Sequence, residues 1–193
     1  IGIFVYDGYN TLDAIGPYQT LSELMGVKVF FIAKTAGLVR NQTGLKVQVD
    51  STIADVKQLD ILVIPGGAVE TFNMTQDTAV LNWIRAIDSK TTYTASVCTG
   101  AWILGATGLL KGKNVTTNWY RAAQMMNSYG ANFKPERWVK DGKYWTSAGV
   151  TAGLDMSLAI INELMGEKYT QGVMLDLEYD PHPPFNAGSV KKT

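Results

Sequence analysis

The segment Ala95-Ser96-Val97-Cys98-Thr99-Gly100-Ala101 holds the only cysteine in the chain. A β-rich run stops at Cys98, glycine follows two residues later, and a helical pattern begins at once. This is a sulfur version of a nucleophile elbow, in which a tight strand-to-helix turn lifts the reactive atom above the sheet. The positive end of the following helix favours thiolate over thiol, and the small Gly100 and Ala101 keep the approach open. A lone cysteine also serves as a buried packing group. Position therefore leaves two readings, catalytic nucleophile or structural thiol.

Two further segments end or follow buried strands with residues that fit beside a nucleophile. Pro65-Gly66-Gly67-Ala68 comes directly after Ile61-Leu62-Val63-Ile64. Its glycines let backbone N–H groups approach a substrate, and the Gly66, Gly67 and Thr99 amides form a candidate oxyanion cradle. The same glycines also read as an ordinary strand-ending turn. In Asn10-Thr11-Leu12-Asp13-Ala14-Ile15-Gly16-Pro17 an acid stands in an apolar frame. Desolvation among Leu12, Ile15 and their neighbours raises the pKa of Asp13 and suits it to proton transfer near neutral pH. The competing role is an N-cap for the first helix.

The one histidine, His182, sits in Pro181-His182-Pro183-Pro184, 84 residues beyond Cys98. That setting reads as a rigid, solvated loop rather than as the imidazole of a Cys–His pair. One His and one Cys are too few for the usual nitrogen and sulfur ligand set, so no metal site is expected.

The elements that must position these groups alternate along the chain. Short apolar runs at Ile3-Phe4-Val5-Tyr6, Val27–Ala33, Ile61–Ile64 and Thr92–Val97 read as strands covered on both faces. Helical patterns run over Leu12–Met25, Thr78–Ile87, Ala101–Leu110, Tyr120–Tyr129, Thr151–Met165 and Glu167–Glu178. Lys46–Val49 reads as a short edge strand and Val115–Thr117 as one more strand. Trp138–Lys140 and Lys143–Thr146 flank Asp141-Gly142 as a hairpin with a type I′ turn. The pattern predicts one α/β domain over 1–193, with a mostly parallel sheet, helices on both faces and right-handed crossovers. Ligands in such sheets gather beyond the carboxyl ends of the strands. Trp102, Trp119 and Phe72, placed just after strand ends, are expected to line a pocket.

Seventeen basic residues balance seventeen acidic ones, which argues against a nucleic-acid partner. No apolar run reaches the roughly 18 residues a membrane helix needs. A single cysteine forms no internal disulfide and there is no signal-peptide pattern, so a cytoplasmic location is expected. Strand pattern begins at Ile1 with no initiator Met, which predicts a short leader removed or left out of the numbering.

Together these segments resemble the ThiJ/PfpI superfamily, related to class I glutamine amidotransferases, and within it the isonitrile hydratases and the sensor domains of AraC-type regulators. The resemblance also rests on Gly108-Leu109-Leu110-Lys111-Gly112-Lys113, Thr116-Thr117-Asn118-Trp119, Thr146–Asp155 and the tail Glu178–Asn186. It implies a flavodoxin-like three-layer α/β sandwich, usually a homodimer. Cys98 would be the nucleophile, Asp13 the acid/base, and Thr99 the neighbour that helps hold substrate and water. Such an enzyme would turn an isocyanide into an N-substituted formamide through a thioimidate, with no organic cofactor. The alternatives are glyoxalase-like or amidase-like chemistry on the same cysteine, or a redox or ligand sensor. The relatives commonly read Thr-Thr-His-Trp where this chain has Asn118. No helix-turn-helix segment lies within the 193 residues, so no DNA-binding role is expected of them.

Overall fold

The computed structural model describes residues 1–185. In chain order the elements are β1 (Gly2–Phe4), α1 (Thr11–Ser22), β2 (Phe30–Ala33), β3 (Leu38–Arg40), β4 (Lys46–Gln48), β5 (Ser51–Thr52), β6 (Ile61–Ile64), α2 (Val69–Met74) and α3 (Thr78–Asp88). They continue with β7 (Tyr93–Val97), α4 (Gly100–Ala106), β8 (Asn114–Val115), α5 (Ala122–Ser128), β9 (Asn132–Phe133), β10 (Trp138–Asp141), β11 (Tyr144–Ser147), α6 (Ala152–Met165) and α7 (Glu167–Asp176).

Seven strands form the main sheet in the order β10-β11-β7-β6-β1-β2-β5. Every pairing is parallel except β10 with β11. The central strands β1 and β6 are buried at every residue, which is why they read as unbroken apolar runs. One connected apolar core runs through both faces of the sheet. Helices α1, α6 and α7 pack together on one side, and α2, α3, α4 and α5 on the other. This is the mostly parallel, doubly covered sheet that the alternation predicts and the flavodoxin-like α/β sandwich that the resemblance implies.

The differences from expectation have local causes. Lys46–Gln48 is not an edge of the main sheet; it pairs antiparallel with Leu38–Arg40 in a separate two-stranded ribbon. Val115 belongs to a second small pair, β8 with β9. The β10–β11 hairpin forms as read, but only its first loop residue, Gly142, has a positive φ, at 63°. That is the pattern of a type II′ turn, not type I′. Helix α4 stops at Ala106, well short of Leu110, and α2 is an extra short helix after the Gly66-Gly67 turn.

Candidate active site

Going outward from β1, the chain first builds β2 and β5, then returns to the other side for β6, β7 and β11. The order of strands therefore reverses between β1 and β6, and a crevice at such a switch point is where open α/β sheets place their ligands. Asp13 follows β1, Gly66 follows β6, Cys98 follows β7, and Gly149 and Val150 follow β11. These are all carboxyl ends, and they meet.

Cys98 has φ of 59°, the left-handed region that costs a side chain with a Cβ about 1–2 kcal/mol. Neighbouring elements hold this strained residue from both sides. Its N–H donates to the Ser147 carbonyl at 3.0 Å, and its own carbonyl accepts from the Thr117 hydroxyl at 2.8 Å. The thiol is 6% exposed. Gly149 covers it so closely that a Cβ there would lie 3.1 Å from the Cys98 sulfur.

Asp13 is fully buried in the first turn of α1. The N-cap position belongs to Asn10, and the Asp13 side chain does not cap the helix. Instead its Oδ2 accepts from the Gly66 N–H at 3.1 Å and its Oδ1 from the Val150 N–H at 3.2 Å. The Cys98 thiol is a further neighbour, close enough for the two groups to shift each other's titration. Val150 pays a conformational cost to supply its amide: φ is 46°, rare for a β-branched residue.

Burial dominates the electrostatics. Desolvation pushes Asp13 up to about 6, against the lowering effect of its hydrogen bonds from Gly66, Cys98 and Val150. Desolvation and then the Asp13 charge push Cys98 up to about 12. The Thr99 N–H and the Asn118 side chain act in the opposite sense, towards thiolate. Burial and the Asp13 charge therefore oppose the bias towards thiolate expected from the helix end. Helix α4 is only seven residues long, while the thiol is buried beside a carboxylate. Burial thus raises both groups, and each bears on the other's proton.

The expected cradle takes a different form. The Gly66 amide is engaged by Asp13, and the Gly67 amide donates to Thr99 Oγ1 at 3.0 Å. Thr99 Oγ1 donates back to the Gly67 carbonyl at 2.9 Å, so its hydroxyl clamps the glycine turn. Its N–H is the part that faces the sulfur. Gly66 must be glycine, since a Cβ would stand 2.5 Å from Thr99 Oγ1 and 2.9 Å from Asp13 Oδ2.

Among the aromatic residues expected in the pocket, Trp102 is buried in the core, whereas Phe72 and Trp119 are exposed. His182 is exposed in its proline-rich loop, with Nδ1 2.9 Å from the Asp180 carbonyl. Tail residue Asn186 lies outside the described residues. Among the described residues no group of three or more His, Cys, Asp or Glu side chains is arranged to hold a metal. None of the helices there is long and apolar enough to cross a membrane.

Reasoning from residue types missed Thr117, Gly149 and Val150 as parts of the site. The strand end at Ser147 followed by Ala148-Gly149 was the available signal, because it puts a glycine at the carboxyl edge of the sheet. Asn118 was visible only as a departure from the family pattern, and it reaches the sulfur itself.

Comparison with known proteins agrees with this fold. An isonitrile hydratase of Pseudomonas putida is 39% identical over 189 residues, covering 98% of this chain and 82% of its own. A deglycase of Pyrococcus horikoshii is 30% identical over 148 residues, 76% of this chain and 87% of its own. A crystal structure of a ThiJ/PfpI family protein from Pseudomonas syringae superposes with a TM-score of 0.95 at 37% identity, covering 100% of this chain and 79% of its own. The model of the DJ-1/PfpI family matches residues 1–163, and the chain belongs to that family.

Proposed function

We propose that this protein hydrates isocyanides, R–N≡C, to N-substituted formamides. The observation that carries the reading is the buried pair of Cys98 and Asp13 at the carboxyl end of the sheet, the carboxylate held by two backbone amides, with no imidazole beside it. The similarity to the Pseudomonas putida isonitrile hydratase, which spans nearly the whole chain, supports the choice of substrate class.

The reaction balances within this pair. Cys98 passes its proton to Asp13 as the sulfur attacks the terminal carbon, and Asp13 delivers that proton to the same carbon. The product of this step is a thioimidate, R–N=CH–S–Cys98. Asp13, ionised again, takes a proton from water as the oxygen adds to the carbon and passes it to the nitrogen; the new hydroxyl then gives its proton to Asp13 as it becomes the formyl carbonyl. The C–S bond then breaks, the formamide leaves, and the proton returns to sulfur. Hydrogen bonds to sulfur from the Thr99 N–H and the Asn118 side chain stabilise the thiolate at attack and departure.

The test is product formation from an alkyl or aryl isocyanide, read by mass spectrometry or by the formyl proton in NMR. Wild type is expected to give formamide, and Cys98→Ala and Asp13→Asn are expected to give none while remaining folded. Undiminished product from Cys98→Ala would overturn the reading. Methylglyoxal as the substrate in the same assay tests the glyoxalase-like alternative. A redox sensor is disfavoured by the burial of the thiol, because oxidation follows exposure as well as thiolate character.

A further inference from the structure

Three buried hydroxyls, those of Tyr6, Thr71 and Thr99, run in series beside the site. Tyr6 OH lies 2.8 Å from Thr71 Oγ1, which lies 3.2 Å from Thr99 Oγ1. At one end the Tyr6 hydroxyl donates to the Pro65 carbonyl at 3.1 Å; at the other, Thr99 holds both the N–H and the carbonyl of Gly67. The chain of hydroxyls therefore grips the Pro65-Gly66-Gly67 turn on either side of Gly66. The residues come from three different places, the segment just after β1, helix α2 and the elbow before α4.

The Pro65 carbonyl and the Gly66 N–H belong to one peptide unit. In a trans peptide they point in opposite directions, so fixing the carbonyl fixes the amide. That carbonyl is held by Tyr6, and that amide is the one that donates to Asp13 Oδ2 at 3.1 Å. A donor on the carbonyl also polarises the peptide and strengthens its N–H as a donor. The three hydroxyl protons serve four contacts, namely Tyr6–Pro65, Tyr6–Thr71, Thr71–Thr99 and Thr99–Gly67. With the Tyr6 proton on Pro65 and the Thr99 proton on Gly67, the Thr71 proton supports either the Tyr6 or the Thr99 oxygen, and its loss removes that support from the hydroxyls that hold the turn.

We propose that Tyr6 and Thr71 are positioning residues that aim the Gly66 amide at Asp13, Tyr6 through the Pro65–Gly66 peptide and Thr71 through Tyr6 and Thr99. Neither residue touches the reacting atoms. They set how firmly the ionised carboxylate is held, and through it the pH at which Asp13 takes up a proton. The consequence for turnover rests on the proposed hydration chemistry; the consequence for Asp13 does not.

The experiment follows the Asp13 carboxyl by NMR in protein labelled with 13C-aspartate, its resonance identified by its loss in Asp13→Asn. Tyr6→Phe and Thr71→Val are compared with wild type, and Thr71→Ser tests rescue. The titration midpoint of Asp13 is expected to rise in Tyr6→Phe and Thr71→Val by up to about one pH unit, the scale of weakening one hydrogen bond to a charge. Thr71→Ser restores the wild-type midpoint. A role confined to packing lowers the melting temperature and leaves the midpoint in place, and that result in the folded variants overturns the proposal. If Tyr6→Phe does not fold, the Thr71→Val and Thr71→Ser pair decides the question alone. The acid limb of kcat/KM on an isocyanide is expected to move with the NMR midpoint. If the protein does not turn over isocyanides, the NMR comparison still stands or falls by itself.

Discussion

At the scale of single residues, the two reactive groups are tuned by being taken out of water together. Asp13 rises from its ordinary value of 3.8 to about 6, which has a cost in stability. Between about pH 4 and pH 6 the folded chain keeps a proton on Asp13 that the unfolded chain has released. Stability from this group is thus present at low pH and is lost as pH rises through 6, a change of about 3 kcal/mol. Urea melts of wild type and Asp13→Asn from pH 4 to pH 7 check this: the wild type is expected to lose stability relative to the variant across that window. Activity has the opposite slope. The ionised Asp13 is the base that accepts the thiol proton, so kcat/KM on an isocyanide is expected to fall below about pH 6, about tenfold per unit. Residue types and the apolar frame made the raised carboxyl legible in the sequence. They did not reveal that its partners are the amides of Gly66 and Val150, because backbone donors leave no trace in side-chain identity.

At the scale of elements, the strand-to-helix elbow depends on its neighbours more than on its own residues. The Thr117 hydroxyl, from the loop after β8, is the donor to the Cys98 carbonyl. Thr117→Val is expected to leave that buried carbonyl with only the long 3.4 Å contact from the Ala101 N–H, costing about 1 kcal/mol in urea melts, and to slow alkylation of Cys98 by iodoacetamide. Thr117→Ser is expected to keep both properties near wild type. Strands such as Ile61–Ile64 were legible because all-apolar runs closed by Pro-Gly-Gly admit few other structures. The β3–β4 ribbon was not, since alternation reports one covered face and says nothing about which sheet covers it. Val150 was illegible for a different reason. A β-branched residue in the left-handed region contradicts its own propensity, and only tertiary contacts impose it.

At the scale of the molecule, the two ends of the sheet do different work. The carboxyl end holds the Cys98–Asp13 pair. The amino end is closed by Asp88, which accepts from Thr94 Oγ1 at 2.7 Å and from the Tyr144 hydroxyl at 3.1 Å and pairs with Lys143 at 3.3 Å. Asp88→Ala strands these donors and is expected to cost about 3 kcal/mol in a urea melt, with Cys98 alkylation at the other end unchanged. The alternation of strands and helices made the layered architecture legible. It did not give the order in which strands lie side by side, and that order brings together residues as far apart in the chain as Asp13, Gly66, Cys98 and Val150. The four N–H contacts of Cys98 and Asp13, from Thr99 to sulfur, from Cys98 to Ser147, and from Gly66 and Val150 to the carboxylate, are supplied by the main chain. A substitution that keeps the local backbone path deletes none of them. These backbone contacts are therefore insulated from changes in exposed side chains such as Trp119 and Phe72, which supply none of them. A site built this way can change what it accepts over generations without first losing the chemistry it performs.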